Sequence, residues 1–379
     1  MMVDGYSNVL PPLLPLLMPR LDLTLARAGL LTMLFQMAAS VAQVGFGHVA
    51  DRWRPRLLLM VGPIVAISIL SLIGIATSFA TCAAILIVGG LGCAAFHPPG
   101  AALVHRLGSD RPGLAMSVYI SGGTLGFAFG PLMFAPFAER FGLTWTPLLA
   151  LPGLMVVALF LGRVPELEVH ATAGGGLRAL RPYAKPLALL YTIVVLRTLT
   201  ALAIATFLPV MLTRRGLSAS AAAAVVTLYL FGSGIGGFFG GPMADHYGPR
   251  RVIAWSLVAS TPVLFAAMFL TGWPFAVVLA IGGMFLQSTL PVNVTFGQAL
   301  APVSAATVSS LMMGFAWGTG GFSVPLVGYI ADRVGIEHTL MGLSFIPLVA
   351  AACVIPLPPG RIGARSSRPA SLIVPETGP

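Results

Sequence analysis

A short motif occurs twice in this chain, in two copies that lie 194 residues apart. The first copy, Gly47-x-x-x-Asp51-Arg52, ends one long apolar stretch, and the second, Gly241-x-x-x-Asp245-His246-x-Gly248, ends another. Pro131 and Pro325 keep the same separation, and Glu139-Arg140-x-Gly142 returns as Asp332-Arg333-x-Gly335 at an offset of 193. A duplication of this size in a chain of 379 residues predicts two halves of similar build.

The composition requires that these halves lie in a membrane. Hydrophobic residues make up 57% of the chain and charged residues 8%, and the mean hydropathy is +0.94. Polar surface is therefore too scarce to cover a water-soluble globule of this size. Long apolar stretches recur along the whole chain, and alternation with a period of two is absent, which argues against a barrel. The sequence predicts an all-α membrane protein.

The apolar stretches predict twelve membrane spans, six in each half. Their approximate bounds are 2–18, 28–49, 57–79, 81–104, 114–137, 144–163, 186–211, 219–243, 252–271, 275–299, 307–330 and 339–357. The predicted organisation is a six-helix half at 1–163, a cytoplasmic linker at 164–185, a second six-helix half at 186–357 and a disordered cytoplasmic tail at 358–379. In transporters built from two such repeats, the substrate site lies between the halves at mid-membrane.

The distribution of Lys and Arg gives the expected orientation. Of the 21 basic residues, fourteen lie in one set of loops and the C-terminal tail, six lie in the opposite loops, and Arg197 lies within a span. Because positively charged loops stay cytoplasmic, we expect both termini in the cytoplasm and the chain in the inner (plasma) membrane. The net charge of +10 then reflects topology and contact with the lipid bilayer, not nucleic-acid binding.

Asp4 is the only acidic residue that could face the interior of the bundle, because the other ten fall in loops or tails. An ionisable group inside a membrane is costly, so by default it is a functional candidate, here for proton coupling. The alternative is a residue among the lipid head groups, at a helix N-terminus where the dipole favours negative charge. The sequence leaves both interpretations open.

Two basic side chains are further candidates. Arg197 lies about eleven residues inside the seventh span, so we expect it to face a watery cavity and bind an anion or a carboxylate. A structural ion pair or a guanidinium bound to carbonyl groups is the alternative. His97 is followed by Pro98-Pro99-Gly100, which we expect to break the fourth span. An imidazole beside a break either relays protons or bonds a freed carbonyl.

Amide residues and glycines recur at helical spacing. The second span carries Gln36, Ser40, Gln43 and Gly47 on one face, and the tenth carries Gln287 and Gln298 with Asn293 nearby. Such amides either contact substrate or bond neighbouring helices. The candidate substrate-binding residues are Asn8, Gln36, Gln43, Arg197, Gln287, Asn293 and Gln298. Stripes of small residues, for helix packing or a hinge, are Gly122, Gly126, Gly130 and Pro131, and Gly232, Gly236 and Gly240.

Motifs of soluble enzymes are absent from the sequence. It contains no G-x-x-x-x-G-K-[ST], no H-E-x-x-H and no G-x-S-x-G. Cys82, Cys93 and Cys353 all lie in apolar spans without ligand spacing, as expected of buried thiols. The sequence therefore predicts no enzyme, no metal site and no cofactor.

The two loop motifs resemble the loop signature of the major facilitator superfamily, and the twelve-span interpretation covers essentially the whole chain. The resemblance implies a monomeric transporter of a small molecule, in which the loop acids and bases latch helices in one of two alternating states. The gating residues assigned on this basis are Gly47, Asp51, Arg52, Arg56, Gly241, Asp245, Arg250 and Arg251.

A narrower resemblance points to one branch of that family. Gly126-x-x-x-Gly130-Pro131 looks like part of the fifth-span motif of proton-driven antiporters. The segments that resemble the fosmidomycin-resistance branch are Asp4, Leu10–Leu17, Ala28–Leu31, Phe96-His97-Pro98, Gly113-Leu114-Ala115 and Gly122-Gly123. The resemblance implies proton-coupled efflux of a small anionic compound such as fosmidomycin, with Asp4 or His97 binding the proton. The alternatives are a proton-coupled uptake symporter for a sugar, organic acid or nucleoside and, remotely, a non-transporting sensor or enzyme.

Overall fold

The computed structural model describes residues 1–50, 55–107, 112–164, 177–301 and 305–358, and all regular structure in these ranges is helical. The α-helices in the first part of the chain are α1 Met2–Ser7, α2 Leu10–Leu21, α3 Leu25–Gln36, α4 Ala42–Ala50, α5 Pro55–Ser71, α6 Phe79–Leu107, α7 Pro112–Phe141 and α8 Ala150–Leu161. Those in the second part are α9 Ala184–Arg214, α10 Ala219–Tyr247, α11 Pro249–Ala267, α12 Gly272–Gln287, α13 Thr289–Leu300, α14 Ala305–Ser310, α15 Ala316–Phe322, α16 Val324–Val334, α17 Ile336–Leu343 and α18 Ile346–Ala352.

Short segments of other helix types join several of these α-helices. The 3₁₀ segments are Leu72–Ile75, Leu143–Leu149 and Leu177–Tyr183, and the π-helical segments are Met37–Val41 and Leu311–Phe315. A π-helical turn holds an extra residue, so it changes which face of the helix the following residues occupy. Both π segments lie within predicted spans, the second and the eleventh.

Eight helices in the described ranges are long and apolar enough to cross a membrane, where twelve spans were expected. They are Leu25–Ala50, Pro55–Ile75, Phe79–Val104, Val118–Phe141, Leu143–Phe160, Leu180–Arg214, Ala219–Tyr247 and Gly272–Leu300. The other four predicted spans are also helical. The first is interrupted between α1 and α2, the eleventh comprises α14 to α16 with a π segment, and the twelfth is the shorter apolar helix Ile336–Ala352. The ninth corresponds to α11, whose first turn contains Arg250 and Arg251.

Pro98 and Pro99 do not break the fourth span, which corrects our expectation. Both prolines lie inside α6, which continues from Phe79 to Leu107. A proline removes one backbone N–H donor and crowds the preceding turn, but neighbouring helices commonly compensate for this inside membranes. His97 therefore projects from a continuous helix.

The repeated acid-basic-x-Gly motif ends three helices in the same way. Gly142, Gly248 and Gly335 directly follow the last residues of α7, α10 and α16, with φ of 90°, 89° and 91°. Side chains with a Cβ rarely adopt such angles, so glycine is needed where the chain turns out of each helix. The motif thereby places an acidic side chain in the last turn: Glu139, Asp245 and Asp332.

Glycines bring pairs of helices to backbone contact. A Cβ built on Gly236 would lie 1.9 Å from the Met284 carbonyl oxygen, and one on Gly240 would lie 1.9 Å from that of Ser288. On α7, a Cβ on Gly126 would lie 1.9 Å from the Met1 carbonyl oxygen. Without a hydrophobic drive between helices in lipid, close packing of this kind is what holds them together. The stripes thus seat α10 on α12 and α7 on α1.

Three helix pairs make the most extensive contacts between the N-terminal segment (residues 1–163) and the C-terminal segment (residues 186–357). They are α7 with α10, α3 with α16, and α2 with α9. Leu13, Leu14 and Leu17 of α2 are fully buried in this contact region. The interior of the bundle therefore lies between the two segments. Their assignment as separate six-helix halves with the bounds given above stays a prediction.

We predict that Gly236→Ala lowers the stability of the purified protein by about 1–3 kcal/mol, because the added methyl overlaps a backbone carbonyl that cannot move freely. Gly45→Ala is the matched control, since a Cβ there would meet nothing within 4 Å. Thermal unfolding in detergent measures both. Equal melting temperatures for the two variants would contradict the packing role of Gly236.

Candidate functional site

Asp4 and His97 lie together inside the N-terminal segment. The Asp4 Oδ1 atom is 3.7 Å from His97 Nε2, and the two side chains are 20% and 28% exposed. The Met1 ammonium nitrogen lies 3.3 Å from the other Asp4 oxygen. A Cβ on Gly123 would be 3.5 Å from the carboxylate, so α7 closes a third side. Asp4 therefore faces α6 and α7. Of the two arrangements that the sequence left open, the structure has the one in which Asp4 faces the interior of the bundle and not the lipid head groups.

Two hydrogen bonds to neighbouring elements hold α1 in the position that presents Asp4, and a third lies within α1 itself. The buried Tyr6 hydroxyl donates to the Leu149 carbonyl. Asn8 Nδ2 donates to the Phe127 carbonyl at 2.9 Å, and Ser7 Oγ donates to the Asp4 carbonyl at 2.7 Å. Asn8, a candidate substrate contact, thus has one amide donor engaged by the backbone of α7.

Arg197 does not face a watery cavity in this conformation, contrary to our expectation. Its side chain is 0% exposed, and one terminal nitrogen donates to Gln287 Oε1 while the other donates to Thr198 Oγ1 at 3.1 Å. The guanidinium carbon lies 5.9 Å from the centre of the Trp317 ring. Long α9 and the end of α12 enclose the group, so solvent does not reach it.

The charge on Arg197 has no acidic counterpart in the described residues, where the ion pairs are Met1 with Asp4, His97 with Asp4, and Arg215 with Glu337. Its Nε atom also makes no hydrogen bond there. A buried charge without a counter-ion costs several kcal/mol. Such a group attracts an anion strongly once a path to it opens.

Among the side chains that are almost fully enclosed in the described residues, two more lack hydrogen-bond partners. The Tyr229 hydroxyl and both amide atoms of Asn293 are shielded from solvent without a hydrogen bond, and these side chains are 1% exposed. Tyr229 was not among our candidates. It precedes Gly232 and Gly236 on one face of α10, so the glycine stripe was the sequence signal that could have identified it.

A small cavity lies between the two segments near Asn8 and Gln36. Its volume is about 30 Å³, room for roughly two water molecules. It is lined by Ser7, Asn8, Leu10, Pro11, Thr32, Phe35, Gln36, Phe127, Leu202, Ala205 and Thr206. Two candidate amides therefore border a space shared by both segments, whereas Arg197 does not line it.

The helices that carry the other candidate amides are interrupted between them, so the expected stripes do not lie on regular α-helices. The π segment Met37–Val41 separates Gln36 from Gln43, whose amide donates to the Ala39 carbonyl of its own helix at 2.7 Å. The predicted tenth span is interrupted at Ser288, between Gln287 at the end of α12 and Gln298 in α13. Gln298 Nε2 donates to Ser309 Oγ at 2.6 Å. Its amide thus bonds a residue beyond α13, whereas Gln287 bonds Arg197.

The predicted gating residues fall at helix ends. Asp51 and Arg52 lie outside the described residues, whereas Gly47 lies in the second half of α4 and Arg56 in the first turn of α5. Gly241 and the exposed Asp245 lie in the last turns of α10. Arg250 donates to the Ile355 carbonyl, and Arg251 is exposed.

The fifth-span candidates lie on α7. Gly126 and Gly130 pack against α1, Gly122 faces open space, and Pro131 lies within the continuous helix.

A bundle of apolar helices that encloses an acid, an imidazole, an arginine and several amides defines a multi-pass membrane transporter. The family model of the Major Facilitator Superfamily matches residues 1–225 and 190–374. The chain belongs to the major facilitator superfamily, and it is not an enzyme.

Two relatives match over nearly the whole chain. An uncharacterized MFS-type transporter, YfnC of Bacillus subtilis (strain 168), is 30% identical over 365 residues, covering 92% of this chain and 88% of that protein. The fosmidomycin resistance protein of Escherichia coli (strain K12) is 28% identical over 373 residues, covering 94% of this chain and 90% of that protein.

Solved structures share the fold at lower sequence identity. A bacterial homolog of the human lysosomal transporter Spinster, in an inward-facing and unoccupied conformation, gives a TM-score of 0.74 at 17% identity, with 93% of each chain covered. A mutant of the nucleoside transporter NupG gives 0.72 at 15% identity, covering 93% of this chain and 98% of that one. These similarities concern the fold alone.

We predict that the pair Arg197 and Gln287 is not needed for stability. Gln287→Leu alone should lower stability by about 1–3 kcal/mol, because it removes one of the two acceptors of the buried guanidinium. The double variant Arg197→Met with Gln287→Leu should melt at or above the wild-type temperature, since it removes the buried charge as well. Thermal unfolding in detergent measures both. A double variant less stable than Gln287→Leu would contradict the prediction and make Arg197 a structural residue.

Proposed function

We propose that this protein is a proton-coupled antiporter that exports a small anionic compound by alternating access, with fosmidomycin as the first substrate to test. The buried, uncompensated charge of Arg197 is the observation that carries the proposal. Transporting a cation past this group would be opposed by repulsion, whereas an anion would supply the missing counter-ion. The relative that confers fosmidomycin resistance supports the same choice of substrate.

The proton and the anion would bind on different segments. Asp4 and His97 belong to the N-terminal segment and would hold the proton, because a carboxylate and an imidazole within 3.7 Å readily share one. Arg197, Gln287 and Asn293 belong to the C-terminal segment and would hold the anion. Asn8 and Gln36 border the cavity between them, and we assign these two amides to the path of the substrate. Gln43 and Gln298 remain secondary candidates.

Exchange requires that the two ligands stabilise opposite states. A ligand shifts a conformational equilibrium only by its difference in affinity for the two states. In the proposed cycle, proton binding at Asp4 and His97 favours the state that binds the anion weakly. The coupling is reciprocal, so anion binding lowers the affinity for the proton. The loop residues Gly47 to Arg56 and Gly241 to Arg251 would latch one of these states.

The proposal includes an orientation. We place both termini in the cytoplasm and the protein in the inner membrane as a monomer, because the basic residues concentrate in one set of loops and the tail. With this orientation, the Asp51 and Asp245 loops face the cytoplasm, and Glu139 and Asp332 face the outside. The proton gradient of a bacterial cell would then drive export.

Proton movement in inside-out vesicles tests the proposal. Vesicles are energised, a pH-sensitive dye reports the gradient, and fosmidomycin is added. We expect the substrate to dissipate the gradient, and Asp4→Asn or His97→Ala to abolish this response by removing the proton site. Glu337→Gln is the control, because Glu337 lies at a helix end and pairs with Arg215. A response unchanged by both variants would refute the assignment of the proton site. Fosmidomycin sensitisation of a host by the protein would instead indicate uptake.

Substitution of Arg197 tests the anion site separately. We expect Arg197→Gln to reduce transport of anionic substrates about tenfold or more, since hydrogen bonds to a charged group contribute roughly 1.5–3 kcal/mol. Arg197→Lys should recover part of the loss, because it keeps the charge but not the planar donor set. Uptake of labelled substrate into inside-out vesicles measures both. Equal transport by wild type and Arg197→Gln would contradict an anion site at this residue.

A further inference from the structure

The carboxylate of Asp332 closes one contact between the two segments. Asp332 lies in the last turn of α16, and its Oδ1 and Oδ2 atoms accept hydrogen bonds from the backbone N–H groups of Leu25 and Ala26, both at 2.9 Å. These donors belong to the first turn of α3, where no carbonyl of the same helix can satisfy them. The next backbone N–H group, that of Arg27, donates to Thr24 Oγ1 at 3.2 Å. An acid of the C-terminal segment thus caps a helix of the N-terminal segment.

Glu139 makes the reverse contact at the end of α7. Its Oε2 atom accepts the backbone N–H of Ser220 at 3.0 Å and the hydroxyl of the same residue. Ser220 lies in the first turn of α10, whose cap, Ser218, accepts the N–H of Ala221 at 3.1 Å. An acid of the N-terminal segment thus caps a helix of the C-terminal segment, with the same chemistry.

The sequence repeat relates the two contacts. The caps Thr24 and Ser218 are 194 residues apart, as are the capped residues Ala26 and Ser220, and the acids Glu139 and Asp332 are 193 apart. We call Glu139 with Ser220 and Asp332 with Leu25 and Ala26 the twin clamps. A negative charge at a helix N-terminus is favoured by the dipole and by the free N–H groups together.

The helices beneath the clamps are packed tightly. A Cβ on Gly328 of α16 would lie 2.3 Å from the Leu25 carbonyl oxygen of α3. On the other side, fully buried Ala135 of α7 packs with Ala219 and Ala223 at the start of α10. The clamps themselves lie at the solvent-exposed rim of these packed contacts. In the order of the twelve spans, α7 and α16 end on the side where α3 and α10 begin, so both clamps close the same end of the bundle.

We infer that the twin clamps are the latch that holds this end of the transporter closed, and that both release when the segments separate there. Each clamp joins one segment to the other, so no rigid-body separation at this end can preserve them. Water at the rim can replace the lost bonds, which keeps the net strength of each clamp small enough for reversible opening. The inference rests on the proposed alternating access, but not on the substrate or the proton.

The reactivity of one introduced thiol tests the latch. Ala223→Cys places a thiol in the buried contact between α7 and α10, where it should react slowly with a water-soluble maleimide. In full-length protein in nanodiscs, without substrate or gradient, Glu139→Gln and Asp332→Asn should each raise the labelling rate about fivefold, as expected for the loss of a hydrogen bond whose net strength water at the rim keeps small. The double variant should give roughly the product of the two factors, if the clamps act independently.

Two internal controls separate release of the latch from other effects. Glu337→Gln neutralises an acid whose partner, Arg215, lies in the same segment, so it should leave the rate within twofold of wild type. Cys82 and Cys93 are buried within the N-terminal segment and report unfolding when peptides are resolved by mass spectrometry. The inference is overturned if neither clamp variant raises the rate more than twofold. It is also overturned if Glu337→Gln or the native cysteines show the same rise.

The labelling experiment is independent of the transport assays. Faster labelling together with no response to fosmidomycin would support the latch and count against the proposed substrate or coupling. Normal transport with unchanged labelling would overturn the latch and leave the proposed function standing.

Discussion

The close approach of helix backbones at glycine is the contact on which the rest of this structure depends. In hydrocarbon, apolar side chains gain little by leaving lipid for another helix, so association requires many short-range contacts. Gly236 and Gly240 of α10 supply them against α12, and Gly126 of α7 supplies them against α1. These contacts fix the two segments as bodies that can carry polar groups at defined positions. The seating of α1 on α7, together with its contact with α6, places Asp4 beside His97.

Charge is divided between the segments of the bundle. The N-terminal segment holds an acid and an imidazole that are partly exposed, and the C-terminal segment holds a guanidinium that is fully enclosed. Groups near solvent exchange protons readily, whereas an enclosed cation gains most from a desolvated anion. In the proposed antiporter, this division would give the proton and the anion separate sites, and residues of both segments line the cavity at Asn8 and Gln36.

The sequence predicted the helical fold and the membrane, because composition and the 194-residue repeat constrain both, and it predicted the family through the resemblance of its two loop motifs. It could not predict how α6 tolerates Pro98 and Pro99, since that depends on neighbouring helices and not on local propensity. Helical spacing also placed Gln36 and Gln43 together, but the π segment between them could not be recognised from residue types. For Arg197, depth in the span was predictable, whereas its enclosure by Gln287 and Trp317 depends on residues 90 and more positions away. Tyr229 was missed because an aromatic in an apolar helix gives no signal of its own, and only its position on the face of the glycine stripe of α10 could have identified it.

Two helix pairs that connect the N-terminal and C-terminal segments, α3 with α16 and α7 with α10, differ in stiffness because only the first pair belongs to spans with π-helical turns. Met37–Val41 and Leu311–Phe315 both belong to the pair of spans that contains α3 and α16, whereas α7 and α10 are continuous α-helices. Moving the extra residue along a helix requires only that a few hydrogen bonds change partner, and it turns the intervening residues by about 100°. The α3–α16 pair can therefore accommodate a rotation by local rearrangement of hydrogen bonds, whereas the α7–α10 pair transmits a rotation along rigid helices. A molecule built from repeated halves in this way is asymmetric in compliance, with an adjustable side and a rigid side.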